Sequence, residues 1–227
     1  MPGGGVGRTR VKVCCLASSD EVRAATASGA DALGFLGAMP DGVGMPDAVI
    51  AALIGQVPPP VAAVLLTGET TATAIARQVR DTRAMAVQIV RPLDPEQVAE
   101  LAALEPLVRR IQVIHVEGPQ ALDLIGPYAP HVDAFLLDSG RPSAAVPSYG
   151  GTGQPHDWDI SAAFVAASSR PVFLAGGLNA SNVRDAIGHV RPFGLDLFSG
   201  VRTRGVLDLD KLAAFMIAVR DADLARR

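Results

Sequence analysis

Asp138 stands at the end of a short apolar run, Ala134-Phe135-Leu136-Leu137, and is followed by a loop holding the cluster Gly150-Gly151-Thr152-Gly153. Asp157 and Trp158 then open an amphipathic segment. An acid at a strand tip, followed by a glycine loop that leads into a helix, has the makings of a proton donor beside an anion site. Two further stretches repeat the glycine theme after apolar runs: Ala175-Gly176-Gly177-Leu178-Asn179 and Phe198-Ser199-Gly200-Val201-Arg202. Glycine lets a backbone come close to a phosphate, and the Ser199 hydroxyl adds a donor. Cys14, Cys15, Gln88, Arg91 and His115 also fall at the ends of apolar runs. His115 has no metal-ligating partner at ligand spacing, and no metal site is read.

These residues need elements to carry them. Eight β-rich apolar runs occur, beginning at Val11, Ala32, Val61, Ala84, Arg110, Ala134, Val172 and Gly194. Between them lie segments with apolar residues at i, i+3, i+4 and i+7, such as Ile50-Leu53-Ile54-Val57, Ala121-Leu124-Ile125-Tyr128 and Val183-Ala186-Ile187-Val190. Ser18 and Glu21 have capping-box spacing at the first helix. Continuous apolar strands alternating with helices imply a parallel sheet covered on its outer face. Eight units within residues 11–227 fit a single (β/α)8 TIM barrel, near the lower end of that fold's size. A doubly wound sheet would place a glycine fingerprint after the first strand, where Ala17-Ser18-Ser19 stands instead. Residues 1–10 read as a flexible lead-in, and no linker divides the rest. In a barrel of this kind the site lies at the C-terminal ends of the strands, and the loops after strands seven and eight commonly hold phosphate.

Composition narrows the function. The chain is 49% hydrophobic and 19% charged, with a formal net charge of −3 and a pI near 5.8. That balance argues against a nucleic-acid or membrane-surface binder, which would normally carry a basic face, and no apolar run is long enough to span a bilayer. The only two cysteines are adjacent, which is no secretory disulfide framework and points to a reducing cytoplasm. On strand alternation Cys15 faces away from Cys14 and packs.

KVCCL (12–16), LLDSG followed by GGTGxxxDW, LAGGLNxxNV (174–183) and DLFSGV (196–201) together resemble the phosphoribosylanthranilate isomerase family of tryptophan biosynthesis, in register from Val11 to about Val219. The resemblance implies a cofactor-free Amadori rearrangement of a small phosphoribosyl substrate. It makes Cys14 the base that removes the C2 proton and Asp138 the acid that opens the ribose ring. It also assigns the phosphate to Gly151, Thr152 and Gly153 with Gly176, Gly177, Ser199 and Gly200.

The chain departs from the family at the other end of the pocket. The family's Cys-Gly is Cys14-Cys15 here, its Ser-Pro-Arg segment is replaced by residues 38–45 with no basic residue, and its Gln-Leu-His-Gly is Gln88-Ile89-Val90-Arg91. Its Ser-Gly-Val-Glu reads Ser199-Gly200-Val201-Arg202. Arg91 and Arg202 are therefore candidates for the missing carboxylate-binding arginine, since a guanidinium matches a carboxylate bidentately. Two alternatives remain: a paralogue acting on another phosphoribosyl amine, and a silent phosphosugar-binding barrel. Oligomeric state is left open.

Overall fold

A computed structural model describes residues 8–39, 42–140, 142–144 and 156–226. Eight parallel strands close on themselves in chain order: β1 (Arg10–Val13), β2 (Ala32–Leu36), β3 (Ala62–Thr67), β4 (Ala86–Ile89), β5 (Arg109–His115), β6 (Ala134–Asp138), β7 (Val172–Leu174) and β8 (Gly194–Leu197). The closing seam sets Lys12 beside Asp196 and Val13 beside Leu197. Helices α1 (Ser19–Ala27), α2 (Asp47–Ile54), α3 (Ala72–Thr82), α4 (Pro95–Leu104), α5 (Ile125–Tyr128), α6 (Trp158–Ala167), α7 (Val183–Val190) and α8 (Leu209–Ala225) lie outside. The expected barrel is present.

Alternation along the strands sorts the side chains into two cores. Val11, Val13, Phe135, Leu137, Leu195 and Leu197 face the helices. Ala32, Val64, Ala86, Ile111, Val113 and Leu136 fill the inside. At the outer layer Phe135 of β6 meets Phe164 of α6 edge to face, with ring centroids 5.2 Å apart. Such a pair adds about 0.5–1.5 kcal/mol beyond its buried area and anchors the helix that follows the glycine loop.

Two local differences from the sequence reading have clear causes. The fifth helix is a 3-10 stretch, Pro119–Leu124, followed by a single α turn, because Gly118, Pro119, Gly126 and Pro127 crowd one short segment. The body also begins before Val11. The Thr9 N–H and hydroxyl both donate to Asp223 of α8, at 2.7 and 2.6 Å, Arg8 pairs with Asp31, and Arg10 is already in β1. Residues 8–10 thus belong to the barrel floor, and the rest of the expected lead-in lies outside the described residues.

Candidate active site

Charge inside the barrel decides the site. Lys12 is 1% exposed and shares a strand face with Cys14, two residues on. Its ammonium lies 2.7 Å from Asp196 Oδ1 and 3.2 Å from Cys14 Sγ. Burial disfavours the ammonium, but Asp196 and the sulfurs outweigh it and hold Lys12 above its ordinary range. Burial likewise pushes the Asp196 carboxyl up and the ammonium pulls it back. A contact of 2.7 Å is that of an ionised, charge-assisted pair. Gly34 of β2 leaves the room, since a Cβ there would come within 3.1 Å of both Cys14 Sγ and Lys12 Nζ.

The second cysteine corrects the sequence reading. Strand geometry ends at Val13, and Cys15 takes the left-handed region at φ +58°. That breaks the alternation, so Cys15 does not point to the far face. Its Sγ lies 3.6 Å from Cys14 Sγ. The hydrogen bond shared with Cys15, together with burial, holds the Cys14 thiol well above the usual thiol range, against the Lys12 ammonium. The same bond lowers Cys15. The Cys15 thiol donates to Cys14 Sγ, and both sulfurs lie in the field of the Lys12 ammonium.

Arg202 is what pins that turn. Its guanidinium donates to the carbonyls of Cys14 (3.2 Å), Cys15 (2.7 Å) and Gly205 (2.9 Å), and to Glu21 Oε1 at 2.8 Å. Glu21 also accepts from the N–H groups of Ala17 and Leu207. Ser18 does cap α1 by accepting from Glu21 N–H, but the Glu21 carboxylate is turned to this brace instead of closing the box. The structure places Arg202 in the frame and not as a free clamp: 6% of its side chain is exposed, and its two terminal nitrogens are spent on three backbone carbonyls and the Glu21 carboxylate. Arg91 follows β4, partly buried, and its carbonyl accepts from Gln112.

Asp138 ends β6 and faces inward, three strands from β1 around the ring. Burial pushes its carboxyl up, opposed by the Ser139 N–H that donates to Oδ1 at 2.7 Å. A raised carboxyl retains its proton closer to neutrality, which is what an acid needs. His115, its neighbour in the β5–β6 register, has Nε2 3.1 Å from the Val90 carbonyl and is held below its ordinary range by burial. A carbonyl partner identifies Nε2 as the protonated nitrogen.

After β7, Gly176 and Gly177 both take left-handed backbone, at φ +84° and +63°, and the Gly177 carbonyl accepts from the side-chain amides of Asn179 and Asn182. After β8, Ser199–Val201 forms a single 3-10 turn. The two loops touch: a Cβ on Gly200 would stand 1.9 Å from the Leu178 carbonyl oxygen. Gly200→Ala is therefore expected to force the loops apart and destabilise the fold by about 2–3 kcal/mol in thermal or urea unfolding. An unchanged midpoint would show that the contact is dispensable. Gly151, Thr152 and Gly153 lie outside the described residues. So do Pro40 and Asp41; the rest of the Met39–Met45 segment folds back, with Met45 N–H on the Leu36 carbonyl and Met39 N–H on that of Val43.

His156 escaped the sequence reading. It packs against Gly176, its Nε2 is 2.6 Å from Ser161 Oγ, and burial pushes it down from 6.5 to about 4. A base depressed by folding binds its proton in the unfolded chain first. Stability contributed by the neutral ring is whole above pH 6.5 and is lost as pH falls toward 4, by up to about 3 kcal/mol. Urea midpoints between pH 4 and 7 should show that slope, and His156→Phe should flatten it; equal slopes would remove His156 as its source. Lys12 and Asp196 escaped too, although each interrupts an apolar run as a lone charge (Val11-Lys12-Val13, Leu195-Asp196-Leu197). Opposite charges in two buried strands are a signal for a buried pair.

Among the described residues no His, Cys, Asp and Glu side chains gather into a metal-holding group, and no helix is long and apolar enough to cross a membrane. Fold and rim together define a barrel of the enzyme type, with a buried acid and a thiol facing the C-terminal mouth. Residues 11–218 match the family model for N-(5'-phosphoribosyl)anthranilate (PRA) isomerase. The N-(5'-phosphoribosyl)anthranilate isomerase of Synechococcus sp. is 35% identical over 210 residues, 91% of this chain and 88% of its own length. That of Halobacterium salinarum is 38% identical over 215 residues, 92% and 94% of the two chains. The solved phosphoribosyl anthranilate isomerase of Thermotoga maritima superposes with a TM-score of 0.78 at 27% identity, over 94% of this chain and 99% of the other. The chain belongs to the N-(5'-phosphoribosyl)anthranilate isomerase family and is an aldose–ketose isomerase.

Proposed function

We propose that this chain isomerises N-(5'-phosphoribosyl)anthranilate to its 1-deoxyribulose 5-phosphate derivative in tryptophan biosynthesis, with Asp138 as acid and Cys14 as base. The observation that carries the assignment is Cys14 Sγ turned inward at the barrel rim, 3.2 Å from the buried Lys12 ammonium. Asp138 gives its proton to the ribose ring oxygen as the C1–O bond breaks, leaving a Schiff base. Cys14 takes the proton from C2, and the resulting enolamine is protonated at C1 as O2 loses its proton, leaving the ketone. No atom is added or removed, so acid and base suffice and no cofactor is called for. The Lys12 ammonium favours the thiolate form of the cysteine pair during the abstraction. The phosphate is assigned to Gly176, Gly177, Ser199 and Gly200, with Gly151, Thr152 and Gly153 from the loop after β6.

With Arg202 committed to the frame, Arg91 is the cation assigned to the substrate carboxylate. A reducing cytoplasm suits a site that works through a thiol. Purified protein given freshly prepared phosphoribosylanthranilate should consume its fluorescence at an enzymatic rate. Arg91→Ala should raise KM about tenfold with kcat little changed, as expected for loss of a charged contact made in ground and transition state alike. Absence of turnover, with a phosphosugar analogue still bound, would favour a paralogue acting on another phosphoribosyl amine or the silent barrel; an unchanged KM in the variant would remove Arg91 from the pocket.

A further inference from the structure

Cys14 and Cys15 converge on the same side of the rim although they are sequence neighbours. Their sulfurs are 3.6 Å apart, held there by the left-handed backbone at Cys15 and by the Arg202 bonds to both carbonyls. That separation is too long for a disulfide of about 2.05 Å, and Cα atoms about 3.8 Å apart across a trans peptide fall below the usual 4.4–6.8 Å of unstrained disulfides. It is the bite of a two-sulfur chelate. One atom bonded to both sulfurs at about 2.3 Å subtends an angle of about 103° at this spacing, close to tetrahedral or pyramidal.

We propose that the Cys14–Cys15 pair is a chelating site for a neutral, thiophilic trivalent centre of the organoarsenical class. The surroundings choose among soft centres. Zinc asks for four ligands, of which the pair supplies two, and no third His, Cys, Asp or Glu joins it among the described residues. The Lys12 ammonium 3.2 Å from Cys14 Sγ opposes a dication but not a neutral group. An aryl arsenoxide brings its own third ligand, and its ring meets the apolar collar of Leu66, Val90, Leu36 and Met39 around Cys14. The step balances without an oxidant: two S–H bonds and the As–O bonds break, two As–S bonds form, and one water leaves with both thiol protons. Arsenic stays trivalent. Each sulfur gives its thiolate pair to an As–S bond and is left without a basic site, so Cys14 can no longer accept a carbon-bound proton; this consequence alone rests on Cys14 being the base.

Intact-mass spectrometry of the full chain with phenylarsine oxide tests the site. One adduct per chain should survive excess 2-mercaptoethanol and be stripped by 2,3-dimercaptopropanol, because the second sulfur binds intramolecularly. Cys15→Gly, which suits the left-handed backbone and is checked for folding by thermal unfolding, should bind at least ~100-fold more weakly. No adduct on the wild-type chain, one released by the monothiol, or equal retention by Cys15→Gly would each overturn the chelate. An adduct that abolishes isomerisation is the expected result. An adduct that leaves turnover intact supports the chelate and removes Cys14 as base, so the two readings fail separately.

Discussion

Cys14→Ala is expected to lower kcat by about 10²–10⁴-fold, the usual contribution of a positioned general base. The fold should survive. Cys14 is 4% exposed and loses one sulfur atom, a small cavity that costs on the order of 1 kcal/mol. Lys12 retains Asp196, so no buried charge is stranded. Cys15 does not substitute, because its own backbone turns at φ +58° and places its sulfur beside the site of Cys14, not at it. Steady-state kinetics on phosphoribosylanthranilate, with the unfolding midpoint as a control, decide the matter. A folded variant with wild-type kcat would exclude Cys14 as base.

Lys12→Met is expected to destabilise the barrel by about 3–5 kcal/mol, since it leaves Asp196 as an uncompensated buried charge. Turnover should fall in the same variant, because the cation that favours the thiolate is gone. These two effects are separable. Lys12→Met combined with Asp196→Leu replaces the pair with apolar volume, and stability should return to within about 1–2 kcal/mol of the parent. Activity should not return. Urea midpoints and kcat for the single and double variants supply the test: recovery of activity with stability would assign the pair to folding alone, and an unaltered midpoint in Lys12→Met would show that the charge is not buried as described.

The barrel itself was legible because its strands are continuous apolar runs at helix-separated intervals, a pattern with few topological solutions. Asp138 and the glycines at 176, 177 and 200 were legible because strand tips in this fold have a known destination. The residues proposed for the phosphate also needed no long-range information, being contiguous motifs. Arg202 was harder. As a cation in a rim loop it reads as solvent-facing or substrate-facing, and only closure of β8 onto β1 brings the Cys14 and Cys15 carbonyls to its guanidinium.

From sequence alone came the fold class, carried by periodicity, and the family resemblance, carried by local motifs, which implied the acid and base proposed here. Tertiary structure decided the state of those residues. The distance from Lys12 to Asp196 spans 184 positions and exists only because the barrel closes. The convergence of the two sulfurs depends on one backbone angle at Cys15, which strand alternation predicts with the opposite sense. Residue type and spacing settle what chemistry is available; charge, burial and backbone direction, which depend on what the chain brings near, settle whether a thiol and a carboxyl are held to perform it.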